Sequence, residues 1–92
     1  MQLASIIIPY YKKKNYIYKS INSALNQSYK NFEIILIYDD QDKEDLVFLK
    51  KKYGRNKKIR IIDNKKNIGA GMSRNIGIEV SKGRYIAFLD AD

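Results

Sequence analysis

Short apolar runs alternate with amphipathic segments along the whole chain. Four short, mainly apolar runs are typical of strands buried in a parallel sheet. These expected strands are Ala4 to Ile8, Phe32 to Ile37, Ile59 to Ile62 and Tyr85 to Leu89. Pro9 is expected to end the first of them, because proline has no backbone N–H to give to a neighbouring strand.

The segments between these runs have apolar residues at the spacing of a buried helix face. The expected helices are Tyr16 to about Asn26, about Lys43 to Tyr53, and Met72 to Val80. We expect Asn15 to cap the first helix and Gly54 to stop the second. Asn67 to Gly71 should form a glycine-containing loop before the third helix.

The resulting order, β-α-β-α-β-α-β, predicts an α/β fold with a mostly parallel sheet and helices on both faces. No linker divides the chain, so residues 1–92 are expected to form one domain. Ligands of open α/β sheets bind beyond the carboxyl ends of the strands. Polar residues collect at those ends, and they are Tyr10, Tyr11, Asp39, Asp40, Asp63, Asn64, Asp90 and Asp92.

Composition narrows the chemistry that such a site can perform. The chain contains no cysteine and no histidine, which excludes disulfides, thiolate or histidine metal sites and histidine-based triads. Catalysis would depend on carboxylates, lysines, tyrosines, hydroxyls or a metal held by oxygen. The formal net charge of +8 favours anionic partners, although the lysines are dispersed as on an ordinary solvated surface.

The sequence contains no apolar run near the length of a membrane span and no recognisable signal peptide. We therefore expect a cytoplasmic location. Peripheral association with the inner face of a membrane is compatible with it.

Asp90 and Asp92 are the candidate metal ligands. Two carboxylates spaced i, i+2 at a strand end can reach one hard cation, and Mg²⁺ and Mn²⁺ prefer oxygen ligands. Acidic pairs at the start of a loop are also common without any metal, so the residues alone leave both interpretations open.

Three other residues have a functional and a structural interpretation. Asp39 can accept the imide N–H of a uracil base, or it can form an Asx turn or helix cap. Tyr11 can stack on a nucleobase or pack at the rim. Arg74 follows Gly69 and Gly71 at a helix start, where backbone N–H groups favour anions, although the glycines can simply permit a turn.

In combination and in this order, the motifs resemble family 2 glycosyltransferases of the GT-A fold. The stretches that carry the resemblance are Ser5 to Tyr11, Ser20 to Tyr29, Phe32 to Asp39, Asn67 to Gly69, Ser73 to Ile78 and Gly83 to Asp92. The resemblance implies a nucleotide-diphosphate-sugar donor, most simply a UDP-sugar, and a divalent metal. It also implies inverting transfer to a hydroxyl of a saccharide or lipid-linked glycan, with no nucleic-acid partner.

The same resemblance implies roles for individual residues. At the donor these are Pro9 and Tyr11 around the base, Asp39 on uracil, and Arg74 near the phosphates. Asp92 would bind the metal, Mg²⁺ or Mn²⁺, with Asp90 assisting near the ribose or sugar.

The chain departs from the family pattern at two places. Tyr10 and Lys12 flank Tyr11 where the family often has Thr and Asn. At the end of the second strand, Tyr38 replaces the first of two acids and Asp40-Gln41 replaces Gly-Ser. The family's general base and acceptor site lie downstream of the position of Asp92. We therefore assign no catalytic residue here, and expect the chain to bind nucleotide weakly and to transfer no sugar alone.

Two rival hypotheses make different predictions. A non-catalytic nucleotide- or nucleic-acid-binding module would show a steep salt dependence of binding and no need for metal. A receiver-like signalling domain would need an acid pair at the end of the first strand. The chain has Pro9-Tyr10 there, which argues against that class.

Overall fold

The computed structural model describes residues 2–12 and 14–89. Its elements are β1 (Ala4–Tyr10), α1 (Lys14–Leu25), β2 (Phe32–Tyr38), α2 (Glu44–Tyr53), β3 (Ile59–Asp63), α3 (Ala70–Val80) and β4 (Tyr85–Phe88). Within this part of the chain the strands form one sheet in the order β3-β2-β1-β4, and every pair is parallel. The predicted α/β class is confirmed.

Helices cover the two faces of the sheet unequally. The core on one face contains Ile6 and Ile8 of β1, and α1 and α2 supply its helical side chains, including Ile17 and Leu49. The smaller core on the other face is built on Ile7, against which α3 packs. Successive residues of β1 therefore face opposite helical layers, which explains why β1 and β2 are mainly apolar along their length.

The expected end of β1 at Ile8 was wrong, because the strand continues through Pro9 to Tyr10. Pro9 aligns with Ile37 of β2 and Tyr10 with Tyr38. The backbone of Tyr10 faces β2, since its carbonyl accepts from the N–H of Asp39. The nitrogen of Pro9 therefore faces the β4 side, where β4 has ended at Phe88 in the described residues. Within the part of the chain that the structure describes, Pro9 therefore removes no donor from the β1–β2 ladder.

Of the predicted helix ends, one is confirmed and two were wrong. Gly54 ends α2 as predicted, in a right-handed conformation. Asn15 lies inside the first turn of α1, because the bend at Lys12 turns the chain into the helix earlier than the polar pattern suggests. Helix α3 begins at Ala70, which places Gly71 in the helix and leaves Gly69 as the residue that turns the chain.

A buried acid fixes the amino end of β4 against the sheet. Glu33 of β2 accepts hydrogen bonds from the hydroxyl of Ser5 at 2.6 Å and from the N–H of Lys82 at 2.7 Å. The N–H of Gly83 then donates to the Ser5 hydroxyl at 2.8 Å. A Cβ at Gly83 would collide with Ser5, so this close approach requires glycine. The network sets the position from which β4 runs toward the carboxyl edge of the sheet.

No helix among the described residues has the length and apolar character needed to cross a bilayer.

Candidate functional site at the carboxyl edge of the sheet

Asp39 is the most heavily bonded side chain at this edge. It directly follows β2, and only 2% of its surface is exposed. One carboxylate oxygen accepts from Asn64 Nδ2 at 3.1 Å and from the N–H of Ile68 at 2.8 Å. The other accepts from Asn67 Nδ2 at 3.0 Å and from the N–H of Gly69 at 2.8 Å. Four donors fill the roughly four acceptor positions of a carboxylate.

These bonds give Asp39 a structural role that the sequence did not reveal. They bind the β3–α3 loop to the tip of β2 and so fix where α3 begins. Asn64 extends the network by donating also to the Ser73 hydroxyl in α3 at 3.2 Å. The only signal of this loop in the sequence was the Asn67-Ile68-Gly69 motif, to which we had assigned no individual roles.

Gly69 supplies the conformation that the loop requires. Its φ of +93° lies in the region that residues with a side chain rarely adopt. This conformation lets the N–H of Gly69 reach Asp39 while α3 starts at the next residue. The first N–H groups of α3 thereby lie at the carboxyl edge of the sheet, where a helix start attracts anions.

Tyr11 lines two cavities at this edge, and Asp39 lines the smaller of them. The smaller has a volume of about 40 Å³ and is lined by Pro9, Tyr10, Tyr11, Asp39, Ala70 and Ser73. The larger is an open cleft of about 550 Å³ lined by Tyr11, Lys12, Asp40, Gln41, Asp42 and Asn67. Only the larger cleft falls within the usual size range of small-molecule sites, roughly 300 to 1,000 Å³. The structure thus brings Pro9, Tyr11 and Asp39 together, with Asn67 between Asp39 and the cleft.

Asp40 and Asp42 shape the β2–α2 loop by the turns that the sequence allowed. Asp40 accepts from the N–H of Asp42 at 3.0 Å, and Asp42 accepts from the N–H of Glu44 at 3.0 Å. These are Asx turns that lead into α2. The ammonium of Lys43 donates to the Asp40 carbonyl at 2.6 Å and to an Asp63 carboxylate oxygen at 2.7 Å. Lys43 therefore joins the loops that follow β2 and β3.

Tyr10 and Tyr38, which stand at the two departures from the family pattern, pack against each other. The rings of Tyr10 and Tyr38 are stacked, with centroids 4.8 Å apart, and both side chains are fully buried. The Tyr38 hydroxyl donates to the Asp42 carbonyl at 2.6 Å, and the Tyr10 hydroxyl donates to the carboxylate of Asp45. Burial raises the pKa of Tyr38 to about 12. Burial and the Asp45 hydrogen bond raise the pKa of Tyr10 as well. Tyr38 is thus a core residue.

Lys12 lies at the mouth of the cleft in an unusual backbone conformation. Among the described residues it is the one non-glycine residue with a positive φ, at +51°. Its ammonium lies 5.2 Å from the centroid of the Tyr11 ring. The Tyr11 hydroxyl and the carboxylates of Asp40 and Asp42 raise the pKa of Lys12 above its ordinary value. The residue following Tyr11 is therefore part of the site, although the sequence indicated it only as a departure from the family.

The remaining predicted site residues are placed less completely. Arg74 lies in the second turn of α3, half-buried, and it has interaction partners within the protein. Asp90 and Asp92 lie outside the described residues. The N–H of Leu89 donates to the Ile7 carbonyl at 3.0 Å, so the described chain ends beside β1 as it approaches the carboxyl edge. No cluster of three acidic residues suited to a metal occurs in residues 2–12 and 14–89.

A second groove lies away from this edge, between α1 and α2. It has a volume of about 310 Å³ and is lined by Tyr18, Phe48, Lys51 and Lys52. Its lining carries no acid and no residue of the predicted site.

Residues 5–92 match the model of the glycosyl transferase family 2 domain. The chain belongs to this family. The chain is 46% identical over 92 residues to UDP-Glc:α-D-GlcNAc-diphosphoundecaprenol β-1,3-glucosyltransferase WfaP of Escherichia coli, covering all of this chain and 36% of that protein. It is also 47% identical over 88 residues to an uncharacterized glycosyltransferase of Rickettsia bellii, covering 96% of this chain and 12% of that protein.

Solved structures of family members have the same fold. The crystal structure of residues 1–349 of S. aureus TarS in complex with UDP-GlcNAc superposes with a TM-score of 0.83 and 26% sequence identity. The match covers all of this chain and 27% of that one. The chain therefore spans a minor part of the length of each of these relatives. Membership of the glycosyltransferase family confirms the resemblance in the sequence, while the roles of individual residues stay predictions.

Proposed function

We propose that this chain carries the donor-binding part of an inverting glycosyltransferase that takes a UDP-sugar and transfers the sugar to a hydroxyl of a saccharide or lipid-linked glycan. The observation that carries the proposal is the cleft of about 550 Å³ beside Tyr11 at the carboxyl edge of a family 2 fold. Two relatives support the choice of donor. WfaP is named for UDP-Glc and an acceptor linked to diphosphoundecaprenol, and TarS was crystallised with UDP-GlcNAc.

The base would bind in the cleft and stack on the ring of Tyr11, a side chain that is 46% exposed. Pro9 supports Tyr11 from the side of the smaller cavity. The imide N–H of uracil would then donate to Asp39. Because both oxygens of Asp39 already accept two hydrogen bonds, the base must take the place of one donor. Asn67 is the donor that also lines the cleft, so its amide is the donor that the base would replace.

The diphosphate would lie over the amino end of α3. The turn at Gly69 directs the first N–H groups of the helix toward the carboxyl edge, and Arg74 follows one turn later. A helix start and a guanidinium both stabilise a phosphate. The approach is favoured further by the net charge of +8.

Asp92, with Asp90 assisting, would hold Mg²⁺ or Mn²⁺. The chemistry of the donor set fits such a metal, because a chain without histidine or cysteine offers oxygen ligands and these cations prefer them. A bound metal would neutralise charge on the leaving diphosphate.

The proposal assigns no general base among the 92 residues, and it leaves acceptor binding to residues outside them. Peripheral association of the longer protein with the inner face of a membrane remains part of the proposal, because an acceptor linked to a lipid would be presented there. The rival nucleic-acid module predicts a different behaviour, namely salt-sensitive binding of oligonucleotides that needs no metal.

The test is equilibrium binding of UDP, GDP and dTDP to the purified chain with and without Mg²⁺. We expect UDP to bind more tightly than GDP, and Mg²⁺ to strengthen the binding. Tyr11→Leu should weaken UDP, whereas Tyr29→Leu, a matched exposed tyrosine at the amino end of β2, should not. Equal affinity for the three nucleotides would contradict a uracil site. Tight, salt-sensitive binding of oligonucleotides without metal would favour the rival class instead.

A further inference from the structure

Lys12 adopts a backbone conformation that its own side chain does not favour. A φ of +51° places it in the left-handed region, which glycine and asparagine tolerate far better than lysine. Two residues earlier the chain is anchored in the core, where the ring of Tyr10 stacks on Tyr38. Residues kept in strained conformations concentrate at ligand sites, where the surrounding structure maintains them.

The conformation brings a cation onto the surface that a base would use. The ammonium lies 5.2 Å from the Tyr11 centroid, within the range of a cation–π contact. Lys12, Asp40 and Asp42 line the same cleft, so the ammonium is also attracted by two carboxylates. In the empty cleft the lysine therefore has an aromatic ring and acids as its partners.

We propose that Lys12 is a specificity-determining residue: its ammonium occupies the Tyr11 platform in the empty cleft and moves to the diphosphate when a nucleoside diphosphate binds. The inference rests on the proposed function. A flexible side chain with a terminal ammonium can make this exchange without movement of the backbone. A phosphate oxygen offers a charge-assisted hydrogen bond, which is stronger than an exposed cation–π contact.

The exchange predicts discrimination between a nucleoside and its diphosphate. Uridine has to displace the ammonium from the ring and offers it no anion in return. UDP displaces it and at the same time provides a stronger partner. Lys12 should thus oppose the binding of uridine and favour that of UDP, which no purely structural role would do.

The experiment compares the dissociation constants of uridine, UMP and UDP for the wild-type chain, Lys12→Met and a control, Lys57→Met. Lys57 is exposed and precedes β3 at the opposite edge of the sheet. We expect Lys12→Met to weaken the binding of UDP by about tenfold, and to strengthen the binding of uridine by about twofold to fivefold. The control should leave the ratio of the two constants unchanged. Lys12→Asn, which suits a positive φ, should fold at least as stably and show the same change of ratio.

Each outcome supports or overturns the proposed role of Lys12. The role of Lys12 would be overturned if the ratio of the uridine and UDP dissociation constants were unchanged, or if both ligands bound more weakly by the same factor. The proposed function would then stay in place, provided that the wild type binds UDP. Failure of the wild-type chain to bind UDP at all would overturn both. A lower UDP-to-uridine preference in both Lys12 variants, with thermal unfolding unchanged, would support the exchange.

Discussion

The side-chain amide of Asn67 donates hydrogen bonds to both the backbone carbonyl and the carboxylate of Asp39, at 2.8 and 3.0 Å. This relationship places an exposed amide between a buried acid and the cleft. On the side of the larger cleft, which Asn67 lines and Asp39 does not, a base therefore reaches Asp39 only where Asn67 gives way. The account of base recognition depends on that exchange.

Substitution of Asn67 tests the exchange directly. Asn67→Ala removes a donor that the base is proposed to replace, so UDP affinity should change by no more than about threefold, although stability falls by roughly 1 kcal/mol. Asn67→Asp places a second carboxylate against Asp39, and like charges at this distance should weaken both stability and UDP binding strongly. Calorimetric titration with thermal unfolding measures both effects. Equal loss of UDP binding in the two variants would contradict the exchange.

Asp39→Asn should be among the most damaging single changes at the site. The new amide nitrogen would face one of the two pairs of donors, either Asn64 and Ile68 or Asn67 and Gly69, which leaves buried polar groups without partners. We expect a loss of about 2 to 3 kcal/mol in the free energy of unfolding, measured by urea denaturation. Asp42→Asn is the matched control, because Asp42 is exposed and an asparagine can keep its turn. Similar small losses in both variants would show that the four bonds to Asp39 contribute little.

Gly69 and Gly71 form a matched pair for backbone strain. A Cβ at either position has open space within 4 Å, so steric collision is absent from both. Gly69→Ala forces a side chain into φ +93° and should destabilise the chain by at least about 1 kcal/mol. Gly71→Ala lies in α3 and should stabilise by up to about 1 kcal/mol. Opposite shifts of the thermal midpoint are expected. Two shifts of the same sign would contradict the assigned helix start.

The buried tyrosine pair should make the fold sensitive to alkaline pH. The folded-state pKa of Tyr38 is raised to about 12, while the unfolded value stays near the ordinary 10.0. Above pH 10 the unfolded chain therefore loses its proton first, and stability falls by about 1.4 kcal/mol per pH unit for that group until pH 12. The raised pKa of Tyr10 also makes stability fall as the pH rises.

Tyr38→Phe separates this effect from general alkaline unfolding. The variant retains the stacked ring but removes one titrating hydroxyl, so its stability should decline less steeply between pH 10 and 12. Urea denaturation at successive pH values gives the slope. The same slope in wild type and variant would show that Tyr38 ionises normally in the folded state.

Strand and helix identity could be predicted because the apolar pattern reports burial directly. β1 and β2 are mainly apolar since each is covered by helices on both faces, and the parallel arrangement of the strands followed from their alternation with helices. The ends of elements could not be predicted as well. Pro9 continues β1 because its missing N–H faces the side where β4 has stopped, and that relationship exists only in the assembled sheet.

The site could be predicted in position and only partly in detail. The carboxyl edge, Pro9, Tyr11 and Asp39 follow from fold logic and family resemblance. The four donors that converge on Asp39 come from the β3–α3 loop, about 25 to 30 residues away in sequence, so no local pattern reveals them. Lys12 was visible only as a departure from the family, because its role depends on a backbone angle.

The measurement that tests the central claim most directly is an NMR titration of the isotopically labelled chain with UDP, with and without Mg²⁺. The account predicts shifts at Tyr11, Lys12, Asp39, Asn67 and Arg74 that strengthen with Mg²⁺ and extend to Asp92, while residues of the groove between α1 and α2 stay unchanged. A folded chain whose spectrum is unaffected by millimolar UDP, or one that shifts only in that groove, would contradict the donor site at the carboxyl edge of the sheet.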